Sequence, residues 1–175
     1  TEQGACVVLV SHLGRPKGKW RDDMSLAPVA ARLADLIDVP VKFVADIVGG
    51  DAKTAADALQ PGSILLLENV RFLPGEETND PKLSESLAGF ADVYINDAFG
   101  TAHRAHASPV GVVEVMKQAG RPTAAGLLMD RELRFLGGAL ESPERPFTAI
   151  LGGAKISGKI DVIEALMPRV DHLLI

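Results

Sequence analysis

Short apolar runs recur along the chain, and each run is continuous rather than alternating with polar residues. A strand that is buried on both faces of a sheet has this pattern, whereas a half-exposed strand alternates. Helical patterns fill the segments between the runs, and Leu26–Ile37 places its apolar residues close to one helical face. Strands that alternate with helices predict an α/β fold with a mostly parallel sheet. The predicted strands are Cys6–Val10, Val41–Val44, Ile64–Leu67, Val93–Ile95, Thr148–Leu151 and Leu173–Ile175, and the other predicted helices are Ala52–Leu59, Lys82–Phe90, Leu127–Leu140 and Ile160–Leu166.

A polar segment with two prolines predicts a boundary late in the chain. Glu141–Pro146 ends the helical pattern Leu127–Leu140, and a new apolar run begins at Phe147. Everything before this segment could form one sheet, and the residues after it start a second unit. Both chain ends fall close to predicted core strands, so we expect these 175 residues to be part of a longer protein.

The composition narrows the classes of partner. A formal net charge of -5, with 23% charged and 47% hydrophobic residues, is ordinary for a globular protein. This mildly acidic balance argues against nucleic acid or a membrane surface as a general partner, so any anion site must be a local basic cluster. The sequence has neither a signal-peptide pattern nor an apolar segment of membrane length, and we expect a cytoplasmic protein. The one cysteine, Cys6, is predicted to be a small buried core residue.

Three predicted strands run directly into unusual polar segments. These segments are Ser11–Gly18, Glu68–Gly75 and Asn96–Ser108. Because parallel strands place their carboxyl ends at one edge of a sheet, the three segments are expected to meet there, where α/β folds bind their ligands. Arginine offers a planar fork of donors that matches phosphate and carboxylate. The sequence therefore predicts a site for a small, highly charged anion, with a cluster made of His12, Arg15, Arg71, His103, Arg104 and His106.

Other chemistries can be composed from the same segments. His103 and His106 have the spacing of metal ligands, but no third ligand is evident at zinc spacing, and no metal site is predicted. A triad of His12, Ser108 and Asp97 lacks a nucleophile-elbow motif. Glu68 and Asp97 could be a general acid and base, although we prefer them as ion-pair anchors for the arginines.

A second phosphate motif follows the predicted strand Thr148–Leu151. Gly152 and Gly153 open a turn into a helix, and Lys155 and Lys159 are four residues apart, so on a helix they share a face. Gly153, Gly158 and Lys159 also have P-loop spacing, but Ile160 stands where a P-loop has the Ser or Thr that binds Mg²⁺. The alternative is a plain strand-to-helix turn with surface lysines.

Together these segments resemble the phosphoglycerate kinase family, and the resemblance spans essentially the whole chain. The matching strings, in family order, are Ser11-His-Leu-Gly-Arg-Pro-Lys-Gly18, Glu68-Asn-Val-Arg-Phe-Leu-Pro-Gly-Glu-Glu77, Asn96-Asp-Ala-Phe-Gly-Thr-Ala-His-Arg-Ala-His-Ala-Ser108 and Leu151-Gly-Gly-Ala-Lys155. The resemblance implies two Rossmann-like three-layer α/β/α domains. It implies phosphoryl transfer in glycolysis between ATP and 3-phosphoglycerate, giving ADP and 1,3-bisphosphoglycerate, with Mg²⁺ bound to the nucleotide, in an enzyme that is a monomer when complete.

The resemblance also assigns roles to particular residues. The acceptor-binding residues would be His12, Leu13, Gly14, Arg15, Arg71 and Arg104. The nucleotide-binding residues would be Gly152, Gly153, Lys155 and Lys159, of which Lys155 and Lys159 would be catalytic. Residues 1–126 would be the acceptor domain, 127–142 the interdomain helix and 143–175 the start of the nucleotide domain.

Two departures from the family pattern limit what this chain is expected to do. The family's first strand and its Asp-x-Asn segment, which complete the acceptor site, precede anything present here. Most of the nucleotide-contacting text would follow Ile175. We therefore expect the chain alone to be inactive. A domain that only binds a small phosphorylated acid is the alternative function, and the Gly152–Lys159 segment argues against it.

Overall fold

The computed structural model describes residues 1–153 and 159–175. Contacts between residues divide the chain into two compact units, Thr1–Gly126 and Leu127–Ile175. The strands of the first unit are β1 (Val7–Leu9), β2 (Val41–Val44), β3 (Ile64–Leu67), β4 (Tyr94–Asn96) and β5 (Thr123–Ala125). Its α-helices are α1 (Ala27–Leu36), α2 (Gly50–Asp57), α3 (Pro74–Glu77), α4 (Pro81–Ala88) and α5 (Val112–Gln118). Short 3-10 turns occur at Asp22–Met24, Val70–Phe72 and Phe99–Thr101, and a π-helical turn occurs at Ala107–Gly111.

The first three strands form a parallel sheet with β3 in the centre. The order is β1-β3-β2, and Ile64 of β3 is in register with Val7 of β1 and with Val41 of β2. All four residues of β3 are buried, which confirms that a continuous apolar run marks a strand covered on both faces.

Helices cover both faces of this sheet. Leu65 and Leu67 pack with Ala52 and Ala55 of α2, whereas Leu66, which points to the opposite face, packs with Leu26 and the first turns of α1. The predicted parallel α/β/α layering is therefore confirmed.

The expectation that all the early strands form one sheet is wrong in one respect. β4 and β5 form a separate parallel pair, with Tyr94 in register with Thr123. The free edge of β1 and the free edge of β4 both line a cavity of about 480 Å³ with largely apolar walls. Cys6, predicted to be buried, is exposed because β1 begins only at Val7, and its thiol lies 3.5 Å from the carbonyl oxygen of Leu59.

The second unit contains one long helix and a small βαβ arrangement. These elements are α6 (Leu127–Glu141), β6 (Thr148–Ile150), α7 (Ile160–Leu166) and β7 (His172–Leu174). β6 and β7 are parallel, with Thr148 in register with His172. Asp171 ties the ends together, because its carboxylate accepts hydrogen bonds from the Phe147 amide at 2.6 Å and from Arg145 at 2.9 Å. Across both units, none of the described helices is long and apolar enough to cross a membrane.

Candidate anion-binding site

The segment that follows β3 provides buried side chains that hold the loops of the site. Glu68 is 1% exposed, and its carboxylate accepts hydrogen bonds from the Ser25 hydroxyl at 2.7 Å and from the Leu26 amide at 2.8 Å. These contacts satisfy donors at the beginning of α1. The prediction that Glu68 anchors an arginine is therefore wrong, and both of its oxygens are already committed to backbone and hydroxyl donors rather than poised as a general base.

Asn69 joins this segment to the loop that follows β1. Its side chain is fully buried, and Nδ2 donates to the carbonyl oxygens of Leu13 and Met24, both at 2.9 Å. Its Oδ1 accepts from the Arg71 amide at 3.1 Å. The Val70 amide also donates to the Ser11 carbonyl at 3.1 Å. Two of the three predicted strand exits are thus held together by hydrogen bonds of the buried Asn69 side chain and of the backbone.

The loop after β1 needs glycine where it crosses the β3 exit. Gly18 has a φ of +69°, and a Cβ there would lie 2.9 Å from the Cα of Pro74. A side chain at this position would be strained by its backbone and would clash with its neighbour. Gly18 also donates its amide to the Arg71 carbonyl at 3.2 Å, which fixes the loop over Arg71.

Arg71 is a buried guanidinium with little counter-charge. The residue is 7% exposed, and Nη1 donates to the Gly14 carbonyl at 3.0 Å. The nearest carboxylate oxygen, Oε1 of Glu77, is 3.9 Å from Nε, too far for a hydrogen bond. A guanidinium has five donors, and a buried charge is costly unless it is paired. The hydrogen bonds found among the described residues therefore leave most donors of the Arg71 guanidinium without an acceptor.

The pKa of His12 is affected by the positive charges that lie around Arg71. Partial burial, followed by the positive charges of Arg71, His106 and Arg104, lowers the pKa of the His12 imidazole, and Glu77 opposes this shift. The charges of the β1, β3 and β4 exits thus act on one imidazole, as the strand geometry predicts. Positive charges that converge on one imidazole in this way favour an incoming anion.

A buried carboxylate holds the third exit. Glu76, which is 3% exposed, accepts hydrogen bonds from the amide of Ser108 at 2.9 Å and from its hydroxyl at 2.6 Å. The Tyr94 hydroxyl donates to the Ser108 carbonyl at 2.6 Å, and burial, with a smaller effect of Glu76, raises the pKa of Tyr94 to about 12. His106 Nδ1 lies 3.7 Å from Oε1 of Glu76.

The remaining predicted acceptor residues lie at the surface of this cluster. Leu13, Gly14, Arg15, His103 and Arg104 are all exposed. Within the part of the chain that the structure describes, neither Arg15 nor Arg104 forms an ion pair. Their guanidinium groups therefore add positive potential at the opening of the site, and their assignment to substrate stays a prediction.

The structure also bears on the alternative chemistries. The Ser108 hydroxyl donates to Glu76 rather than to His12, so the arrangement needed for a His12–Ser108–Asp97 triad is not formed. Among the described residues, no group of three or more His, Cys, Asp or Glu side chains is placed to hold a metal ion.

The glycine and lysine motif lies in the second unit. Gly152 and Gly153 follow β6 and are exposed, and Gly153 has a φ of +130°, a conformation that favours glycine. Lys159 precedes α7, and its Nζ donates to the Gly152 carbonyl. The other predicted lysine, Lys155, lies outside the described residues. The lysine next to exposed glycine backbone is compatible with a phosphate site, and its role stays a prediction.

Two organising residues were missed from the sequence. Glu76 and Asn69 were not among the predicted site residues, yet their hydrogen bonds fix the loops that carry the cations. Their positions in the sequence were the available signal. Polar side chains often bond the backbone of neighbouring loops when they come directly after an all-apolar strand or in the first turn after a proline.

Comparisons with known proteins agree on one family. The family model described as phosphoglycerate kinase matches residues 1–175. A phosphoglycerate kinase of Chlorobium luteolum is 55% identical over 174 residues, which are 99% of this chain and 43% of that protein. One of Herpetosiphon aurantiacus is also 55% identical, with the same coverage. The chain thus spans less than half the length of the curated relatives it matches.

Solved structures give the same answer for the fold. The phosphoglycerate kinase of Pyrococcus horikoshii has a TM-score of 0.85 and 32% identity, covering 98% of this chain and 43% of that one. That of Coxiella burnetii has a TM-score of 0.79 and 40% identity, covering 98% and 42%.

Proposed function

This chain belongs to the phosphoglycerate kinase family, and on that premise we propose that it supplies the acceptor-binding part of a glycolytic kinase. The enzyme would transfer a phosphoryl group between ATP and the carboxylate of 3-phosphoglycerate. Because the 175 residues cover 43% of a curated relative, the activity is proposed for the longer protein and not for this chain alone.

The observation that carries the proposal is Arg71. It is a buried guanidinium with one backbone acceptor and a carboxylate no closer than 3.9 Å, and it lies beside His12 and the loop of Arg104. A phosphorylated carboxylic acid carries the two anionic groups that such a cluster binds. We assign acceptor binding to His12, Leu13, Gly14, Arg15, Arg71 and Arg104.

Phosphoryl transfer to a carboxylate suits a site that has several cationic side chains and no general base. The attacking oxygen belongs to a carboxylate that is already ionised at neutral pH, so no proton has to be removed. That oxygen forms a bond to the γ-phosphorus of ATP while the bond to the β,γ-bridging oxygen breaks, and ADP leaves. Catalysis then consists of positioning and of neutralising the charge of the transferred group.

The nucleotide would bind at the motif of the second unit. We assign Gly152, Gly153, Lys155 and Lys159 to it, with the two lysines near the transferred phosphoryl group. Mg²⁺ bound to ATP or ADP would neutralise phosphate charge there. In this proposal residues 1–126 are the acceptor domain, 127–142 the interdomain helix and 143–175 the beginning of the nucleotide domain, in a cytoplasmic enzyme that is monomeric when complete.

Acceptor binding is tested first, because it does not depend on the second unit. We expect 3-phosphoglycerate to shift the nuclear magnetic resonance signals of the His12 ring and the Arg71 side chain. Glycerol, which lacks both anionic groups, is the control and should leave them unchanged. The absence of any shift with millimolar 3-phosphoglycerate would contradict the assignment.

Phosphoryl transfer is tested second. A coupled assay of ADP production with 3-phosphoglycerate and Mg-ATP should show no turnover for the verified 175-residue chain. Turnover should appear when the remaining part of a phosphoglycerate kinase is supplied with it. A rate within tenfold of the roughly 10 per second typical of enzymes, from the chain alone, would show that the other segments are not required.

A further inference from the structure

The contacts of Glu76 have no part in the acceptor chemistry described so far. Glu76 is 3% exposed, and among the described residues the donors to its carboxylate are the amide and the hydroxyl of Ser108. Ser108 is held from its other side by the Tyr94 hydroxyl, which donates to its carbonyl at 2.6 Å. A buried carboxylate is costly unless its oxygens are bonded, and here the two donors of Ser108 meet that requirement.

The residues next to Ser108 form a fixed base for the loop that carries Arg104. Ala107 is fully buried, and its turn, Ala107–Gly111, is pressed against Ser84 of α4 so closely that a Cβ on Gly111 would overlap that hydroxyl. The Arg104 amide donates to the Thr101 carbonyl at 2.9 Å, which closes the loop four residues before Ser108. The direction in which Arg104 and His106 leave this base therefore depends on where Ser108 is held.

Glu76 also lies close to His106. Oε1 is 3.7 Å from Nδ1 of the imidazole, which is 9% exposed. The charge of His106 acts in turn on His12. One carboxylate therefore holds Ser108 and lies beside the imidazole of His106.

We propose that Glu76 is a positioning residue of the acceptor site. It does not touch the substrate, and it holds the His106–Ser108 turn so that His106 and Arg104 face the anion beside His12 and Arg71. This proposal rests on the proposed function of the same site. The positioning role also accounts for an acidic side chain beside a site for an anion, because the Glu76 carboxylate is bonded to Ser108 and lies next to the His106 imidazole.

The test uses Glu76→Gln, which keeps the shape of the side chain. Its Oε1 can still accept from the Ser108 amide, but the second contact survives only if the Ser108 hydroxyl reverses and accepts from the new amide nitrogen. The negative charge is also lost, so both contacts that hold the turn weaken. Glu85→Gln is the matched control, because Glu85 is exposed on α4. The dissociation constant of 3-phosphoglycerate is measured on the 175-residue chain from the His12 ring signal, at a temperature where each variant is folded.

We expect Glu76→Gln to weaken binding about tenfold, the scale of a small misplacement of binding groups, while Glu85→Gln binds as the unchanged chain does. In a background that carries Arg104→Ala and His106→Gln, the loss caused by Glu76→Gln should shrink to about twofold or less, because the residues it positions are gone. A role in stability alone would lower the melting temperature and leave the affinity of the folded chain unchanged, and that result would overturn the proposal.

Two further outcomes separate this proposal from the proposed function. If the unchanged chain binds no 3-phosphoglycerate, the acceptor assignment fails, and with it the role of Glu76. If the unchanged chain binds and Glu76→Gln binds equally well, only the role of Glu76 fails. If Glu76→Gln does not fold, Ser108→Ala decides, since it removes one of the two hydrogen bonds: about threefold weaker binding supports the proposal, and unchanged binding overturns it.

Discussion

The two units of this chain differ in how much of their apolar surface is buried. Thr1–Gly126 contains three clusters of buried side chains, and the largest joins Phe72 to residues of α4 and α5. In the described part of Leu127–Ile175, Met129 is the one buried hydrophobic residue, while Leu127 is 87%, Phe135 73% and Ile150 76% exposed. The first unit has a core of its own, and the second, as described here, has almost none.

The difference in buried apolar surface affects the two proposed sites differently. The loops of the anion site are bonded to one another and to a packed sheet, so their cations are positioned before any ligand arrives. The exposed Gly152, Gly153 and Lys159 stand on a two-stranded sheet, which is marginal without further packing. Weak acceptor binding should therefore survive in this chain by itself, and nucleotide binding should depend on further structure.

The largest expected effect compares one phenylalanine from each unit. Phe72 is 4% exposed and its ring centroid lies 4.8 Å from that of Trp20, whereas Phe135 is 73% exposed on α6. We expect Phe72→Ala to lower the free energy of unfolding of the first unit by about 3–5 kcal/mol, since it leaves a cavity and removes an aromatic contact. Phe135→Ala should change it by less than about 0.5 kcal/mol.

Urea unfolding followed by circular dichroism measures both values. A loss of several kcal/mol from Phe135→Ala would mean that α6 is covered in solution, and the contrast between the units would then be smaller than the exposed areas indicate. Equal effects of the two variants would remove the contrast altogether.

The second effect concerns ligand binding and compares two arginines of the first unit. Arg71 is buried in the site, while Arg32 is exposed on α1 with Asp35 at 3.8 Å. Arg71→Ala should weaken 3-phosphoglycerate binding by about 1.5–3 kcal/mol, roughly ten- to a hundred-fold, because a charged hydrogen bond is lost. Arg32→Ala should leave binding unchanged.

Arg71→Lys sharpens this test. Lysine keeps the charge but lacks the planar fork of donors. The affinity of the Arg71→Lys variant for 3-phosphoglycerate should therefore fall between those of the unchanged chain and Arg71→Ala. The dissociation constants are measured by resonance titration, with circular dichroism to confirm that each variant is folded. Unchanged affinity in Arg71→Ala would remove Arg71 from the acceptor site.

The sequence predicted the elements whose local pattern and final environment agree. The predicted bounds are observed for Val41–Val44, Ile64–Leu67 and Ile160–Leu166, because continuous apolar runs and a helical spacing of apolar residues are strong local signals. β5 was missed, since Thr123–Ala125 is short and contains two alanines, which have little strand propensity. α5 was missed because its valines favour strands, and packing with α4 overrides that preference.

The charged residues of the site were predictable from the sequence, but the hydrogen bonds that hold their loops were not. The convergence of His12, Arg71 and Arg104 was expected from parallel strands of one sheet. The effect of both arginines on the pKa of His12 agrees with that convergence, although β4 pairs with β5 in a separate sheet. Which carboxylate pairs with which donor was not predictable. Glu68 caps α1 and Glu76 holds Ser108, and both contacts join residues more than thirty positions apart in sequence.

The smallest effect is the pH dependence that His12 gives to the anion site. Burial and the charges of Arg71, His106 and Arg104 lower the pKa of His12 below its ordinary 6.5, so the free site holds it mostly neutral at pH 7. Between the lowered pKa and 6.5 the unfolded chain binds more protons than the folded chain. His12 therefore costs stability as the pH falls through that range, and His12→Gln should flatten the fall of melting temperature below pH 6.5.

The binding of 3-phosphoglycerate should depend on pH in the opposite direction from stability. An anion placed beside His12 favours the imidazolium, so 3-phosphoglycerate binding takes up a proton and tightens as the pH is lowered from 7.5 to 6.5, by at most about tenfold per pH unit. Below that range the phosphate itself gains a proton near pH 6 and the gain is lost. Titration calorimetry in two buffers of different ionisation heat measures the uptake. Equal uptake by the unchanged chain and by His12→Gln would show that another group titrates with the ligand and that His12 lies outside the reach of the bound anion.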